Sequence, residues 1–354
     1  MLMMSKRTDG MENSRTSKVR GMQLALCVLA LLITGCASQH NSVGTWSAPA
    51  IAAHAKVSPW QYEGAQGWEL DTPHYAIHTT IADEAVRKML PQVMEGAFAQ
   101  YRLLAPDVPI SSKPMDCFIF FSRDQWNEFT RANTGSNSVV YLQIRRGGYA
   151  LGDRYVSYYI GTRATASVAA HEGWHQFCAR NFIGRLPPFL EEGLATTFED
   201  VDFKNDMPRW NPSLNPLRAT ALRHALETRV GLWPTDQLIR LHAGEVVKHS
   251  GEQIEAFYAQ CWCFAKFLRE GEGGKYAPAL RKWLAETADG TVFDPSRSHS
   301  RAGLPWNPGA VRPMLEHYLG QPFAEIDKEF QAYMHHVAYD EFSAQWSMDK
   351  WQSN

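Results

Sequence analysis

The sequence predicts an α+β fold in which a small mixed α/β unit precedes a mainly helical part. Segments rich in β-branched and aromatic residues, typical of strands, occur before about residue 164. After that point apolar residues recur at helical spacing. The chain has 354 residues, of which 45% are hydrophobic and 20% charged, so it can bury a large core in one or two domains.

The N-terminus has the pattern of an export signal. Arg15, Lys18 and Arg20 precede a mostly apolar run over residues 22–33, which is shorter than the about 20 residues that a spanning helix needs. The run ends in Ile33-Thr34-Gly35-Cys36, which resembles the lipobox of bacterial lipoproteins. We therefore expect residues 1–35 to be a signal peptide and Cys36 to carry a lipid. An ordinary secretory signal with an incidental cysteine is the alternative.

Composition suggests the boundaries of the remaining regions. Residues 36–58 are rich in Ser and Ala and nearly free of charge, which is typical of a flexible tether. Residues 59–163 are expected to form the α/β subdomain and residues 164–284 a helical subdomain. Residues 285–354 are predicted to be a C-terminal helical region.

The predicted elements of the α/β subdomain follow from apolar patterning. We expect strands at residues 75–80, 115–121, 138–144 and 154–160, and helices at about 82–104 and 123–132. Gly147-Gly148-Tyr149 lies between the last two strands. It is either a plain hairpin turn or the flank of an edge to which a peptide adds as an extra strand.

Helices dominate the predicted second half of the chain. They begin at about Ala164 and near Pro188 and continue at residues 254–268, 277–284 and 323–337.

Four cysteines remain after the predicted signal and lipidation site: Cys117, Cys178, Cys261 and Cys263. In an oxidising compartment they could form one disulfide or remain buried thiols. Cys178 follows His171 at helical spacing but lies about 10 Å further along the axis, so we assign it to core packing.

His171-Glu172-Gly173-Trp174-His175 is an HExxH motif on the first of these helices. Histidines at i and i+4 lie on one helical face, where both imidazoles can bind one ion. Glu172 can then act on a water as a general base without being a ligand. The preceding residues 164–170 are small and uncharged, which predicts a buried helix where unpaired polar groups are costly. The motif thus predicts a zinc hydrolase, and ordinary surface histidines are the alternative.

A third ligand is expected on the next helix. Helical geometry leaves Glu191 and Glu192 open, because they lie about 100° apart. Gly193 would let this helix pack close to the HExxH helix. Glu199, on the same face as Glu192, either accepts a hydrogen bond from a ligand histidine or is a solvated carboxylate. Thr196 is the alternative support for the ligands.

The segment HEGWHQF followed by LPPFLEEGLATTFE resembles the gluzincin metallopeptidases, in which HExxH is followed by a helix with a Glu-Gly-x-Ala pattern. The likeness is closest to peptidase MA-like bacterial families, including the domain of unknown function 1570, and more distant to aminopeptidase N. It is convincing over about residues 164–199 and weaker over 75–268. It implies a zincin-like fold and one Zn²⁺ ion held by His171, His175 and Glu192, with Glu172 as general base.

The same resemblance bears on Tyr258, which lies on a helix downstream of the motif. It implies that this phenol donates to the oxyanion, as a comparable tyrosine does in aminopeptidase N-like enzymes. A core aromatic residue is the alternative. The Gly-x-Met-Glu-Asn motif, which binds a substrate amino terminus, is absent from the sequence. Aminopeptidase activity is therefore not implied.

Together these features predict a zinc-dependent peptidase of the bacterial cell envelope that acts on peptides or proteins. Its membrane partner would be reached through the lipid on Cys36, and Ala37 favours the outer membrane by family analogy. A zinc hydrolase of a non-peptide amide or ester, and a non-catalytic protein with a vestigial metal site, are alternatives. A net charge of -2 with mixed signs argues against a nucleic-acid partner. The oligomeric state is not predicted.

Overall fold

A computed structural model of the protein describes residues 47–144, 147–295 and 306–341. The predicted signal peptide, the predicted lipidation site Cys36 and the first part of the tether lie outside the described residues. The described chain has a mixed α/β architecture, in which a six-stranded sheet precedes a mainly helical half. Within it, no helix is both long and apolar enough to cross a bilayer.

The sheet has the strand order β1-β2-β3-β4-β6-β5. Its strands are β1 (Lys56–Tyr62), β2 (Ala65–Asp71), β3 (Tyr75–Thr79), β4 (Met115–Phe120), β5 (Gly148–Leu151) and β6 (Arg154–Tyr158). The central strands β3, β4 and β6 are parallel, whereas β1, β2 and β5 run antiparallel to their neighbours. Ile77, Cys117 and Tyr155 are in register across the centre of the sheet and fully buried. β5 lies at one edge of the sheet.

Three helices belong to this part of the chain: α1 (Glu84–Leu104), α2 (Arg123–Thr134) and α3 (Ser138–Tyr141). The strand predicted at residues 138–144 is wrong, because this segment contains the one-turn helix α3. The β-branched residues Val139 and Val140 suggested a strand, yet they are 66% and 52% exposed. Their β-branched side chains therefore make no core contact of the kind that favours a strand.

The end of the predicted tether is part of the folded unit. β1 begins at Lys56, before the boundary expected at residue 58. The Ser47 hydroxyl donates to the Trp210 carbonyl at 2.8 Å, and the Ala48 N–H donates to Gln100 Oε1 at 2.9 Å. Low charge and small side chains are compatible with an extended segment along a surface as well as with a free linker, which is why composition placed the boundary too late.

The helical half agrees with the prediction from apolar spacing. Its helices are α4 (Thr162–Asn181), α5 (Pro188–Thr196), α6 (Pro216–Thr228), α7 (Thr235–Leu238), α8 (Ala243–Val246), α9 (Gly251–Gly274), α10 (Ala277–Asp289), α11 (Val311–Leu319) and α12 (Phe323–His335). An antiparallel hairpin of β7 (Val201–Lys204) and β8 (Met207–Trp210) separates α5 from α6. The helix α9 is buried over most of its length and packs against both α5 and α6.

Two glycines allow close helix packing around α4 and α5. A Cβ added at Gly193 would lie 2.2 Å from the Cys261 carbonyl oxygen on α9. The predicted close approach of Gly193 to the HExxH helix is therefore wrong, because its neighbour is α9. Within the HExxH motif, a Cβ added at Gly173 would lie 2.5 Å from the Tyr101 hydroxyl. That hydroxyl donates to the Ala170 carbonyl at 2.6 Å and ties α1 to α4.

The four cysteines of the described residues are free thiols and all are buried. No disulfide links them in the described part of the chain, so the alternative of buried thiols applies. Cys178 is fully buried in the main hydrophobic core, as expected for a packing role.

Candidate metal centre

The HExxH histidines on α4 face the Glu191–Glu192 pair on α5. Along α4, residues such as Ala166, Ala170 and Trp174 are fully buried in the core. The intervening positions His171 and His175 are 13% and 18% exposed in their side chains. Pro188 begins α5 at a position where the missing N–H costs no helical hydrogen bond. The short connection between the two helices therefore places the Glu191–Glu192 pair beside the histidines.

Three side-chain atoms converge between these helices. His171 Nε2 lies 3.4 Å and His175 Nε2 3.6 Å from Glu192 Oε2. The three residues form the one group of metal-ligand type found among the described residues, with all ligand atoms within 4.8 Å of one another. Tetrahedral zinc with bonds of about 2.0–2.1 Å separates neighbouring ligand atoms by about 3.3 Å. The spacing of the two histidines and Glu192 therefore fits one zinc ion.

Glu192 Oε2 supplies an independent test of that fit. It is buried and lacks a hydrogen-bond partner among the described residues. A buried polar atom without a partner costs about 1–3 kcal/mol, and more when it is charged. A cation between the two Nε2 atoms and this oxygen would remove that cost. The donor set of two imidazoles and one carboxylate is also one that catalytic zinc sites use.

Glu191 contacts the other side of His175. Its Oε1 lies 3.1 Å from His175 Nδ1, so the ring can donate there and direct Nε2 towards Glu192. Glu191 and Glu192 were expected to compete for one role, and the contact of Glu191 with the same histidine was not predicted. The signal was present, because a turn of about 100° between adjacent helical residues lets them approach one ring from two sides.

Glu199 makes the corresponding contact with His171. Its Oε1 lies 2.9 Å from His171 Nδ1, which is the predicted second contact of a ligand histidine. The Glu199 carboxylate also accepts hydrogen bonds from Asn215 and Arg218, neither of which was predicted. The Thr196 hydroxyl donates to the Gly193 carbonyl of its own helix at 2.8 Å instead of to a histidine.

The electrostatics of the cluster favour a cation. Burial alone would lower the pKa of His171, but Glu192 and Glu199 outweigh it and raise that pKa to about 9. The pKa of His175 is likewise raised well above its usual value, despite burial, by Glu192 and Glu191. Burial would raise the pKa of Glu192, yet the imidazoles hold it well below its usual range. A divalent cation would take the place of the positive charge that these carboxylates attract.

Glu172 lies at the junction of α4 and the sheet edge. Burial raises the pKa of Glu172, while the neighbouring imidazoles and a backbone hydrogen bond from Ala150 oppose that rise. Ala150 belongs to β5, so the predicted general base is attached to the edge strand. The hairpin turn predicted at Gly147-Gly148-Tyr149 is wrong, because Gly148 and Tyr149 lie within β5. The turn into β6 instead contains Gly152, whose φ is 61°.

Tyr258 projects from α9 towards the same centre. Its ring centroid lies 6.3 Å from that of His171 in an edge-on arrangement. Burial, and then Glu192, raise the pKa of Tyr258 well above 10, so the phenol stays protonated and able to donate. The Arg218 guanidinium carbon lies 5.0 Å from the centre of the Tyr258 ring. The structure thus brings Tyr258 to the centre, in addition to the residues on α4 and α5.

Comparisons of the chain with protein-family models, with curated proteins and with solved structures find no match. The residues and geometry of this chain are therefore the whole basis for assigning a function.

Proposed function

We propose that this protein is a zinc-dependent metallopeptidase of the gluzincin type, with a zincin-like fold, that cleaves peptide bonds in the bacterial cell envelope. The observation that carries the proposal is the convergence of His171 Nε2, His175 Nε2 and the buried Glu192 Oε2, which accepts no hydrogen bond from the described residues. Zinc bound by these atoms would supply a Lewis acid that polarises a carbonyl and lowers the pKa of water.

Glu172 would move the proton in this reaction. It follows the first ligand on α4, and burial raises the pKa of its carboxyl group. A raised pKa makes the carboxylate a stronger base towards the attacking water and a ready donor to the leaving amine. Tyr258 would donate its O–H to the oxyanion that forms from the substrate carbonyl. His171 and His175 would hold their orientation through Glu199 and Glu191.

The position of β5 supports a peptide substrate over another amide or an ester. It is an edge strand, and its Ala150 N–H hydrogen-bonds Glu172. An extended peptide that added to this edge as a further strand would pass directly beside the general base. Main-chain hydrogen bonds to an edge strand recognise a polypeptide backbone, which a small amide or ester lacks.

The competing proposal is a non-catalytic protein with a vestigial metal site. The peptidase proposal predicts that Glu172→Gln loses cleavage activity, whereas a vestigial site has no such activity to lose. The purified protein, this variant and Glu227→Gln would be compared for zinc content and for cleavage of a mixed peptide library by mass spectrometry. Glu227 lies on α6 with a side chain that is 55% exposed, so it is a matched control. We expect all three proteins to bind one zinc ion and Glu172→Gln to lose about 10²–10⁴-fold in cleavage rate.

Two outcomes would contradict the proposal. One is a zinc-loaded Glu172→Gln protein that cleaves peptides at the unaltered rate, and the other is a folded protein that binds no zinc. Zinc binding without cleavage of any peptide, and without binding of a hydroxamate, would support the vestigial site.

A further inference from the structure

Arg218 is a largely buried cation within reach of the proposed centre that none of the steps above uses. It lies in the first turn of α6, where the Asn215 side chain caps the helix by accepting from the Arg218 N–H at 3.2 Å. The Arg218 side chain is 12% exposed. It therefore reaches inward from a helix that follows the HExxH helix by more than thirty residues.

The Arg218 guanidinium donates two hydrogen bonds to the Glu199 carboxylate. Nε lies 2.9 Å from Glu199 Oε2, and Nη2 lies 2.9 Å from Glu199 Oε1. The latter oxygen is the one that contacts His171 Nδ1 at 2.9 Å, while Asn215 Nδ2 donates to Oε2 at 3.0 Å. The Glu199 carboxylate is thus fixed by Arg218 and Asn215 in the orientation in which it accepts from His171. In the neutral imidazole, a fixed acceptor at Nδ1 places the proton on Nδ1 and leaves Nε2 of His171 directed at the metal position.

The same guanidinium contacts Tyr258. Its carbon lies 5.0 Å from the centre of the Tyr258 ring, within the range of a cation–π contact. Nη1 donates to Glu255 Oε2 at 3.0 Å, and Glu255 precedes Tyr258 by three residues on α9. Arg218 is therefore held on one side by Glu199 and on the other by α9. Its contacts join the segment that orients His171 to the helix that carries Tyr258.

We propose that Arg218 is a positioning residue that sets His171 and Tyr258 relative to each other. It orients the histidine through its hydrogen bonds to Glu199, and it positions the phenol through the cation–π contact. The part of this proposal that concerns Tyr258 rests on the proposed peptidase function, whereas the part that concerns His171 requires only metal binding. Arginine suits the role because a rigid fork can satisfy one carboxylate twice and still stack on a ring, which an ammonium group cannot do.

Metal binding tests the histidine side of the proposal without any assay of activity. Zinc affinity would be measured by competition with a chromophoric chelator for the wild type, Arg218→Met and Arg218→Lys. We expect Arg218→Met to bind zinc about 10–100-fold more weakly, and Arg218→Lys to lie between it and the wild type. The visible spectrum of the Co²⁺-substituted protein should change in Arg218→Met, because His171 would no longer be held in one orientation.

Arg223→Met is the matched control on the same helix. The Arg223 side chain is 42% exposed and pairs with Glu227 at 3.4 Å. Its replacement should leave zinc affinity and the Co²⁺ spectrum unchanged. Thermal unfolding of the metal-free proteins would show whether each variant is folded. If Arg218→Met does not fold, Glu255→Gln removes one anchor of the guanidinium and should produce the same changes with a smaller amplitude.

A double-mutant cycle tests the tyrosine side. In the wild type, Arg218→Met should lower kcat at saturating zinc by more than it raises KM. In a Tyr258→Phe background the same change should lower kcat much less, because the group that Arg218 positions is already missing. Equal effects in both backgrounds would overturn the coupling to Tyr258. Unchanged zinc affinity and Co²⁺ spectrum in folded Arg218→Met would overturn the role towards His171.

The two proposals fail in distinguishable ways. If the wild type cleaves no peptide, the proposed function is contradicted, but the affinity and spectral measurements still decide whether Arg218 positions His171. If the wild type cleaves peptides and those measurements do not change, only the role of Arg218 is contradicted.

Discussion

Glu191 and Glu192 are adjacent on α5 and contact opposite nitrogens of the same histidine. Glu191 Oε1 lies 3.1 Å from His175 Nδ1, and Glu192 Oε2 lies 3.6 Å from His175 Nε2. Glu192 Oε2 also lies 3.4 Å from His171 Nε2. Adjacent and chemically identical residues are thus placed for two different tasks.

The first prediction separates these tasks. Glu191→Gln should weaken zinc binding by about 10–100-fold, because it disturbs only the orientation of His175. Glu192→Gln should weaken it more than that, because it removes a charged ligand. Chelator competition at neutral pH would measure both affinities. A larger loss in Glu191→Gln than in Glu192→Gln would reverse the assignment of the ligand.

A second prediction concerns the phenol of Tyr258. Tyr258→Phe should reduce kcat by about 10²–10³-fold, because it removes the proposed donor to the oxyanion. Zinc affinity and the midpoint of thermal unfolding should stay close to those of the wild type, since the ring and its packing remain. Steady-state kinetics on a fluorogenic peptide would provide the comparison. An unchanged kcat would show that Tyr258 is simply a packed aromatic residue.

The third prediction tests the contact between α5 and α9. Gly193→Ala should destabilise the protein by about 1–3 kcal/mol or more, because its Cβ would lie 2.2 Å from the Cys261 carbonyl oxygen. Gly251→Ala is the control, since a Cβ there meets nothing within 4 Å. Urea denaturation of both variants would measure the free energy of unfolding. Equal stability of the two variants would show that α5 can move away from α9 without cost.

The fourth prediction is a pH dependence from Asp200. Burial raises the pKa of Asp200 to about 6, although Arg163 lies 3.4 Å away. Between about pH 4 and pH 6, Asp200 is therefore protonated in the folded protein but largely ionised in the unfolded chain. The stability contributed by this group is complete below about pH 4 and is lost as the pH rises through about 6.

Asp200→Asn removes that dependence. Relative to the wild type, the variant should gain about 2–3 kcal/mol of stability between pH 4 and pH 8. Urea denaturation of both proteins at several pH values would measure the difference. A difference that stays constant or shrinks as the pH rises would contradict the prediction.

A fifth prediction concerns Cys36, which lies outside the described residues. If the lipobox is used, Cys36→Ser should abolish incorporation of labelled palmitate and move the protein from the membrane fraction to the soluble fraction. The folded part should bind zinc as the wild type does, because the proposed ligands lie on α4 and α5. A membrane fraction that is unaffected by Cys36→Ser would contradict lipid anchoring at this residue.

Local sequence patterns predicted the parts of the structure that depend on short-range geometry. His171, His175 and Glu192 lie within one helical pair, so their spacing along the chain determines most of their spacing in space. The central strands β3 and β4 were predictable because aromatic, β-branched and other apolar residues that favour strands dominate them.

Long-range contacts were not predictable in the same way. Arg218 reaches Glu199 across the hairpin of β7 and β8, and no local pattern indicates which carboxylate a distant arginine will meet. The helix start itself had a signal, since Asn215-Pro216 is a typical cap followed by proline at the first helical position. The strand predicted at Val139-Val140 failed because β-branched side chains favour a strand only where a sheet is available to cover them.

The close packing of Gly193 against α9 has a consequence for the order in which the chain can fold during synthesis. A nascent chain that ends before residue 251 already carries His171, His175 and Glu192, but it lacks Tyr258 and the surface on which α5 rests. The helix that carries the proposed ligand Glu192 therefore gains its packing surface and the proposed oxyanion donor in one step, when α9 is added.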